Sequence, residues 1–145
     1  MGERLLAFIR ENVDRDVVGP AREEQRLRAY LKFLVDHPWY HRLLNEGEVL
    51  APKGYKAYFK MVSSGMVRSL QRSVQRDEIQ RFDQDELETV AYILLASRVY
   101  LAQRYAYNNG SVKEPPEKII KTYSKFVRYA LFDSCTERSL QKSRK

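Results

Sequence analysis

The chain has 145 residues, 43% hydrophobic and 31% charged, which gives one domain with a real core and excludes a wholly disordered chain. Its 26 Lys and Arg against 19 Asp and Glu leave a net charge of +7, and nine of those bases with only four of the acids lie in residues 113–145. A nucleic-acid-binding domain would spread that excess across its fold, and one cysteine, Cys135, excludes a disulfide framework or a multi-cysteine metal site.

Apolar residues recur at helical spacing along the chain, with no strand-like alternation of useful length. Leu5, Leu6, Ile9 and Val13 predict a short first helix over 3–15. Gly19-Pro20 marks a turn. Leu27, Tyr30, Leu31, Leu34 and Val35 predict a second helix over 21–36. It ends at His37-Pro38, because the residue before a proline disfavours the helical region. Pro38 opens a third helix to about residue 47, with Trp39, Tyr40, Leu43 and Leu44 on its apolar side. Pro52 opens a fourth, to about residue 80, whose stripe includes Tyr55, Tyr58, Val62, Met66, Leu70 and Val74. Beside that stripe lie Ser63, Ser64, Gly65, Ser69 and Ser73. Gly65 costs about 1 kcal/mol of helix propensity relative to Ala, and a close contact or a kink would offset it.

Asp83, with Glu86 three residues on, is an Asp version of the capping box and starts the fifth helix. Asn108-Asn109-Gly110 stops it. The last helix follows Pro115-Pro116 and runs over 116–132 on Ile119, Ile120, Tyr123, Phe126, Val127 and Leu131. The expected architecture is an all-α bundle of about six helices over residues 1–133, with a basic flexible tail over 134–145.

The fifth helix carries most information. Between Val90 and Tyr107 only Ser97, Arg98, Gln103 and Arg104 are polar. A helix apolar almost all round is buried on more than one face. The last helix has a similarly wide apolar arc. Either the chain wraps its own central helix, or a second copy supplies cover and the protein is a homodimer. Arg98 and Arg104 also argue against a membrane span here, and Leu5-Leu6-Ala7-Phe8-Ile9 is too short for a signal peptide. A cytoplasmic protein is expected.

The segment His37-Pro38-Trp39-Tyr40-His41-Arg42-Leu43-Leu44-Asn45-Glu46-Gly47-Glu48 resembles part of the regulatory half of TetR-type transcriptional regulators. So does Tyr55-Lys56-Ala57-Tyr58-Phe59 before a long helix with Gly65, Met66, Val67 and Leu70. Glu78-Ile79-Gln80-Arg81-Phe82-Asp83 resembles the entry to that family's penultimate helix, with Asp77 standing at a customary turn glycine. The resemblance spans about residues 20–132 and does not extend to the family's helix-turn-helix, so no DNA binding is expected from this chain alone. It implies a ligand-sensing and dimerisation domain whose last two helices pair with their copies. The interface residues would be Tyr92, Leu95, Ala96, Val99 and Gln103 of the fifth helix, and Ile120, Tyr123, Val127 and Leu131 of the last.

Catalysis finds no constellation here, neither a phosphate loop nor a nucleophile motif, and no cofactor is expected. His37 and His41 are four apart, but His37 precedes Pro38 and falls outside the helix, so no metal is expected. Cys135 has no visible base. A pocket for a small apolar or aromatic effector is the better candidate, because such pockets form between the helices of bundles. Tyr30, Phe33, Trp39, Tyr58, Met61, Val62, Met66, Ile93 and Tyr100 would line it, with plain core packing as the competing reading. Arg98 falls on the apolar stripe of Leu87, Ala91, Leu94 and Ala102. It either receives a ligand carboxylate there or pairs with an acid on another helix. The alternative to a sensor is a standalone helical protein–protein interaction module. The basic tail, Arg138, Lys142, Arg144 and Lys145, reads as solvated.

Overall fold

Helix starts in this chain follow its prolines and one acidic cap. The computed structural model describes residues 2–132. Its helices are α1 (Gly2–Glu11), α2 (Gly19–Asp36), α3 (Trp39–Leu50), α4 (Pro52–Gln75), α5 (Leu87–Tyr105) and α6 (Glu117–Val127). A 3-10 turn, Gln84–Glu86, leads into α5, and a π-helical turn, Arg128–Phe132, extends α6. Pro20 and Pro52 sit in the first turns of α2 and α4, where a missing N–H costs nothing. At the start of α5 the Asp83 N–H donates to Glu86 Oε2 at 2.8 Å, one arm of the expected capping box.

The fourth helix stops at Gln75, five residues before its expected end. The Glu78 N–H donates to the Ser73 carbonyl at 2.9 Å and the Asp77 N–H to the Val74 carbonyl at 3.0 Å. This is the Schellman closure, which needs a left-handed residue, and Asp77 supplies it with φ 61°. Ile79 then buries its side chain against the core.

The stop at Asn108-Asn109-Gly110 is a hairpin instead of a plain loop. The strands β1 (Tyr107–Asn108) and β2 (Ser111–Val112) pair antiparallel, Tyr107 opposite Val112. Asn109 and Gly110 both have positive φ, 46° and 85°, as a type I′ turn requires. Strands of two residues leave no alternation to read.

The centre of the bundle is α2, not α5. It packs against α1, α3, α5 and α6 and buries Leu27, Ala29, Tyr30, Leu31, Phe33 and Leu34 around more than one face. By contrast α5 buries one face, Leu87, Val90, Ala91, Leu94 and Ala102, and leaves Tyr92, Ile93 and Tyr100 exposed. Apolar composition alone does not say which of two rich helices the others surround. The stripe Ile120, Tyr123, Val127 and Leu131 of α6 and its extension is covered within the chain, where α6 packs on α2. These four residues, expected at an interface between copies, have no surface left to offer one. The outward residues of that end are Phe126 and Tyr129. No helix among the described residues is long and apolar enough to cross a membrane.

Candidate functional site

Five helices line a cleft of about 430 Å³, α3 contributing only Leu44. Along α4, Tyr58, Met61, Val62, Gly65, Met66, Ser69 and Arg72 recur at three and four, so one face of the helix lines the space for four turns. Leu5, Leu6 and Ile9 of α1 form the facing wall, Tyr30 comes from α2, and Leu95, Arg98 and Val99 come from α5. Gly65 meets no close contact and α4 continues through it. The close contact expected to offset its helix cost is therefore absent, and its missing side chain leaves the cleft wider at this turn.

Behind the cleft lies a buried charge cluster. Glu23 of α2 is 1% exposed and Arg98 of α5 is 5% exposed. Arg98 Nη2 donates to Glu23 Oε2 at 2.5 Å, and its Nε donates to the Tyr123 hydroxyl at 3.3 Å. Arg26 Nη1 donates to the other Glu23 oxygen, Oε1, at 2.5 Å, and Arg26 Nη2 donates to Ser69 Oγ at 2.6 Å. Burial alone would push the Glu23 carboxyl up, but the charges and hydrogen bonds of Arg98 and Arg26 outweigh it and hold it below its ordinary value. Burial likewise disfavours the Arg98 cation, yet Tyr123 and Glu23 raise its pKa, so both partners stay charged. The cluster ties α2 to α4, α5 and α6 at once.

Of the ten residues expected at the effector site, Tyr30, Tyr58, Met61, Val62, Met66 and Arg98 line this cleft. The other four stand elsewhere. Phe33 is buried in the core, stacked on His37 and edge-on to Tyr40. Trp39 is half exposed at the start of α3. Ile93 and Tyr100 point out from the far side of α5, Tyr100 at 70% exposure. At 3.6 residues per turn they sit about 140° and 160° round the helix from Arg98, whereas Leu95 and Val99 lie within about 100° on either side of it. Those two, expected at a dimer interface, line the cleft. Tyr92, Ala96 and Gln103 are exposed on the outward face.

Sequence reasoning missed Glu23, Arg26, Ser69 and the cleft's remaining arginines, Arg10, Arg68 and Arg72. For Glu23 a signal existed: it lies on one helical stripe with Leu27, Tyr30 and Leu34. An acid on that stripe is the counter-charge that Arg98 demanded.

A second cleft, also about 430 Å³, opens among α1, α3 and α4. Tyr40, Leu43, Gly47 and Tyr55 line it, and it shares Leu44, Tyr58 and Met61 with the first. The buried Tyr40 hydroxyl has no hydrogen-bond partner among the described residues.

The histidines take local partners. His37 Nδ1 lies 3.0 Å from the Phe33 carbonyl. His41 stacks on Tyr107 at 3.8 Å between ring centres, Asn45 Nδ2 donates to its Nε2 at 2.9 Å, and burial lowers its pKa. Among the described residues no three His, Cys, Asp or Glu side chains gather where they could hold a metal ion. Cys135 and the expected tail lie outside the described residues.

Comparison with models of protein families and with curated proteins finds no match for the chain.

Proposed function

We propose that this domain senses a small apolar or aromatic molecule in the cleft among α1, α2, α4 and α5. It does so as the ligand-sensing and dimerisation half of a TetR-type regulator of the cytoplasm. The observation that carries the reading is the cleft itself: a largely apolar space of effector size, walled by six of the ten side chains that the sequence nominates. The mechanism is binding rather than catalysis. A ligand filling the cleft touches α1, α2, α4 and α5 together, so it favours whichever arrangement of α1 against α4 fits it better. In a complete regulator of this type that bias is passed to DNA-binding heads. Nothing in the reading requires this chain to bind DNA.

The dimer half of the proposal rests on the outward face of α5. Tyr92, Ala96, Tyr100 and Gln103 follow one another at three and four, with Ile93 beside them, and all are exposed. A second copy covering this row would complete the burial that the α5 composition calls for. The same row supports the second reading, a helical module that docks another protein.

Two measurements decide. Thermal unfolding with a panel of small neutral and acidic aromatic compounds should show a saturable rise in Tm in the wild type. Gly65→Trp, which projects a ring into the cleft without straining α4, should abolish the rise. No rise with any compound, or an undiminished rise in Gly65→Trp, removes the sensor reading. Light scattering over a dilution series should return a concentration-stable dimer; a clean monomer would favour the protein-docking reading.

A further inference from the structure

The cleft is polarised along its length, and this bears on what it holds. Tyr58 and Arg72 are fourteen residues apart on α4, about 21 Å at 1.5 Å per residue. Over the first half the lining is Tyr58, Met61 and Val62, and over the second it is Arg68, Ser69 and Arg72. Ser69 is the residue that Arg26 reaches from α2, so Arg26 joins the same end. The other helix running along the cleft is sorted the same way. α1 begins at Gly2 against Tyr58 and Met61, and Arg10 comes more than two turns later. The one acidic residue of the lining, Glu3, stands at the start of α1 with the apolar half. One end of the cleft is therefore apolar with an acid at its edge, and the other is cationic.

The cations differ in what they have left to give. Arg98 has committed Nε and Nη2, and Glu23 is shared between it and Arg26. Arg68 and Arg72 are exposed and, among the described residues, make no ion pair and no side-chain hydrogen bond. They lie four apart on one helix face, so two guanidinium groups can converge on one small anion. A ligand carrying positive charge would meet five arginines, of which Arg10, Arg68 and Arg72 make no ion pair among the described residues.

We propose that the effector is an amphiphile with a single anionic head, its apolar body against Tyr58, Met61 and Val62 and its head held by Arg68 and Arg72. This rests on the sensor reading above and moves the anion-reading role from Arg98 to the rim of α4. Carboxylate, sulfate and phosphate monoester heads share the chemistry that the two arginines recognise.

The test compares three probes with one tail, decanoate, decan-1-ol and decylamine, with acetate as the head alone. Titration calorimetry on the wild-type chain at neutral pH should give decanoate at least about tenfold tighter binding than decanol, with decylamine and acetate weaker still. In Arg68→Gln/Arg72→Gln the decanoate-to-decanol ratio should fall to about one, with decanol affinity unchanged. Both residues are exposed, so the variant keeps its fold, which circular dichroism verifies. A benzoate-headed compound and decyl sulfate should follow decanoate. Decanol binding as tightly as decanoate to the wild type, or a ratio unmoved in the variant, overturns the anionic head and leaves the sensor standing. No binding of decanoate, decanol or decylamine overturns the anionic amphiphile and leaves the sensor reading to be decided by the aromatic panel above.

Discussion

Two neighbouring glutamates on α2 do opposite kinds of work. Glu23 faces inward, holds Arg98 and Arg26, and binds α2 to α5 and α4. Glu24 faces the other way, with its side chain 18% exposed, and joins α2 to α6 through Lys121 at 3.0 Å. Arg28 completes that outer cluster, contacting Glu24 at 2.9 Å and Glu117 of α6 as well. One step along a helix turns a side chain by about 100°, enough to move an acid from the core to the rim. The consequence is energetic. A buried pair sits on a large desolvation cost that only an intact partner offsets, while a rim pair is largely exchanged with water.

The comparison can be broken at its strong end. Glu23→Gln leaves Arg98 buried beside a neutral amide, and should destabilise the fold by about 3–5 kcal/mol in urea denaturation. A loss below about 1 kcal/mol would show that water reaches Arg98. The pair Glu23→Leu with Arg98→Met removes both charges together and should recover most of that loss, since Arg26 retains Ser69 and partial exposure. Failure to recover would mean that the cluster fixes helix geometry beyond its charge balance.

The weak end sharpens it. Glu24→Gln should cost less than Glu23→Gln, about 1–3 kcal/mol, and part of that should vanish in concentrated salt. Its clearer mark is in acid. Burial tends to raise the Glu24 carboxyl, but hydrogen bonds from Lys121, Arg28 and Ser124 outweigh this and bring its pKa from 4.5 to about 2. The unfolded chain takes up that proton first as pH falls, so the stabilisation is whole above about pH 4.5 and drains away toward pH 2. Stability measured over that window should fall less steeply in Glu24→Gln than in the wild type. Equal slopes would show that the outer cluster does not persist in solution.

Most helices were legible because their limits are local. Pro20, Pro52 and the Asp83–Glu86 pair act on the nearest turn of backbone, and the starts of α2, α4 and α5 fall close to where they direct. Arg98 was legible as a buried cation in need of an acid because helical spacing fixes which stripe it shares. The end of α4 was not, since an aspartate at φ 61° leaves no glycine to read. Nor was the hairpin, whose two-residue strands carry no period. Site residues fared by the same rule. Periodicity separates the faces of one helix, so Met61, Val62 and Met66 were found together. It does not say which neighbour covers a face. Hence Leu95 and Val99 face the cleft while Ile93 and Tyr100 face outward, and the α6 stripe was assigned to a copy when α2 already covers it.

Tyr58 and Met61 stand between the two clefts and belong to both. A side chain adopts one rotamer at a time, so the partition can yield to one side only by intruding on the other. An occupant of either space that displaces one of these side chains therefore changes the affinity of the other space, and by reciprocal amounts.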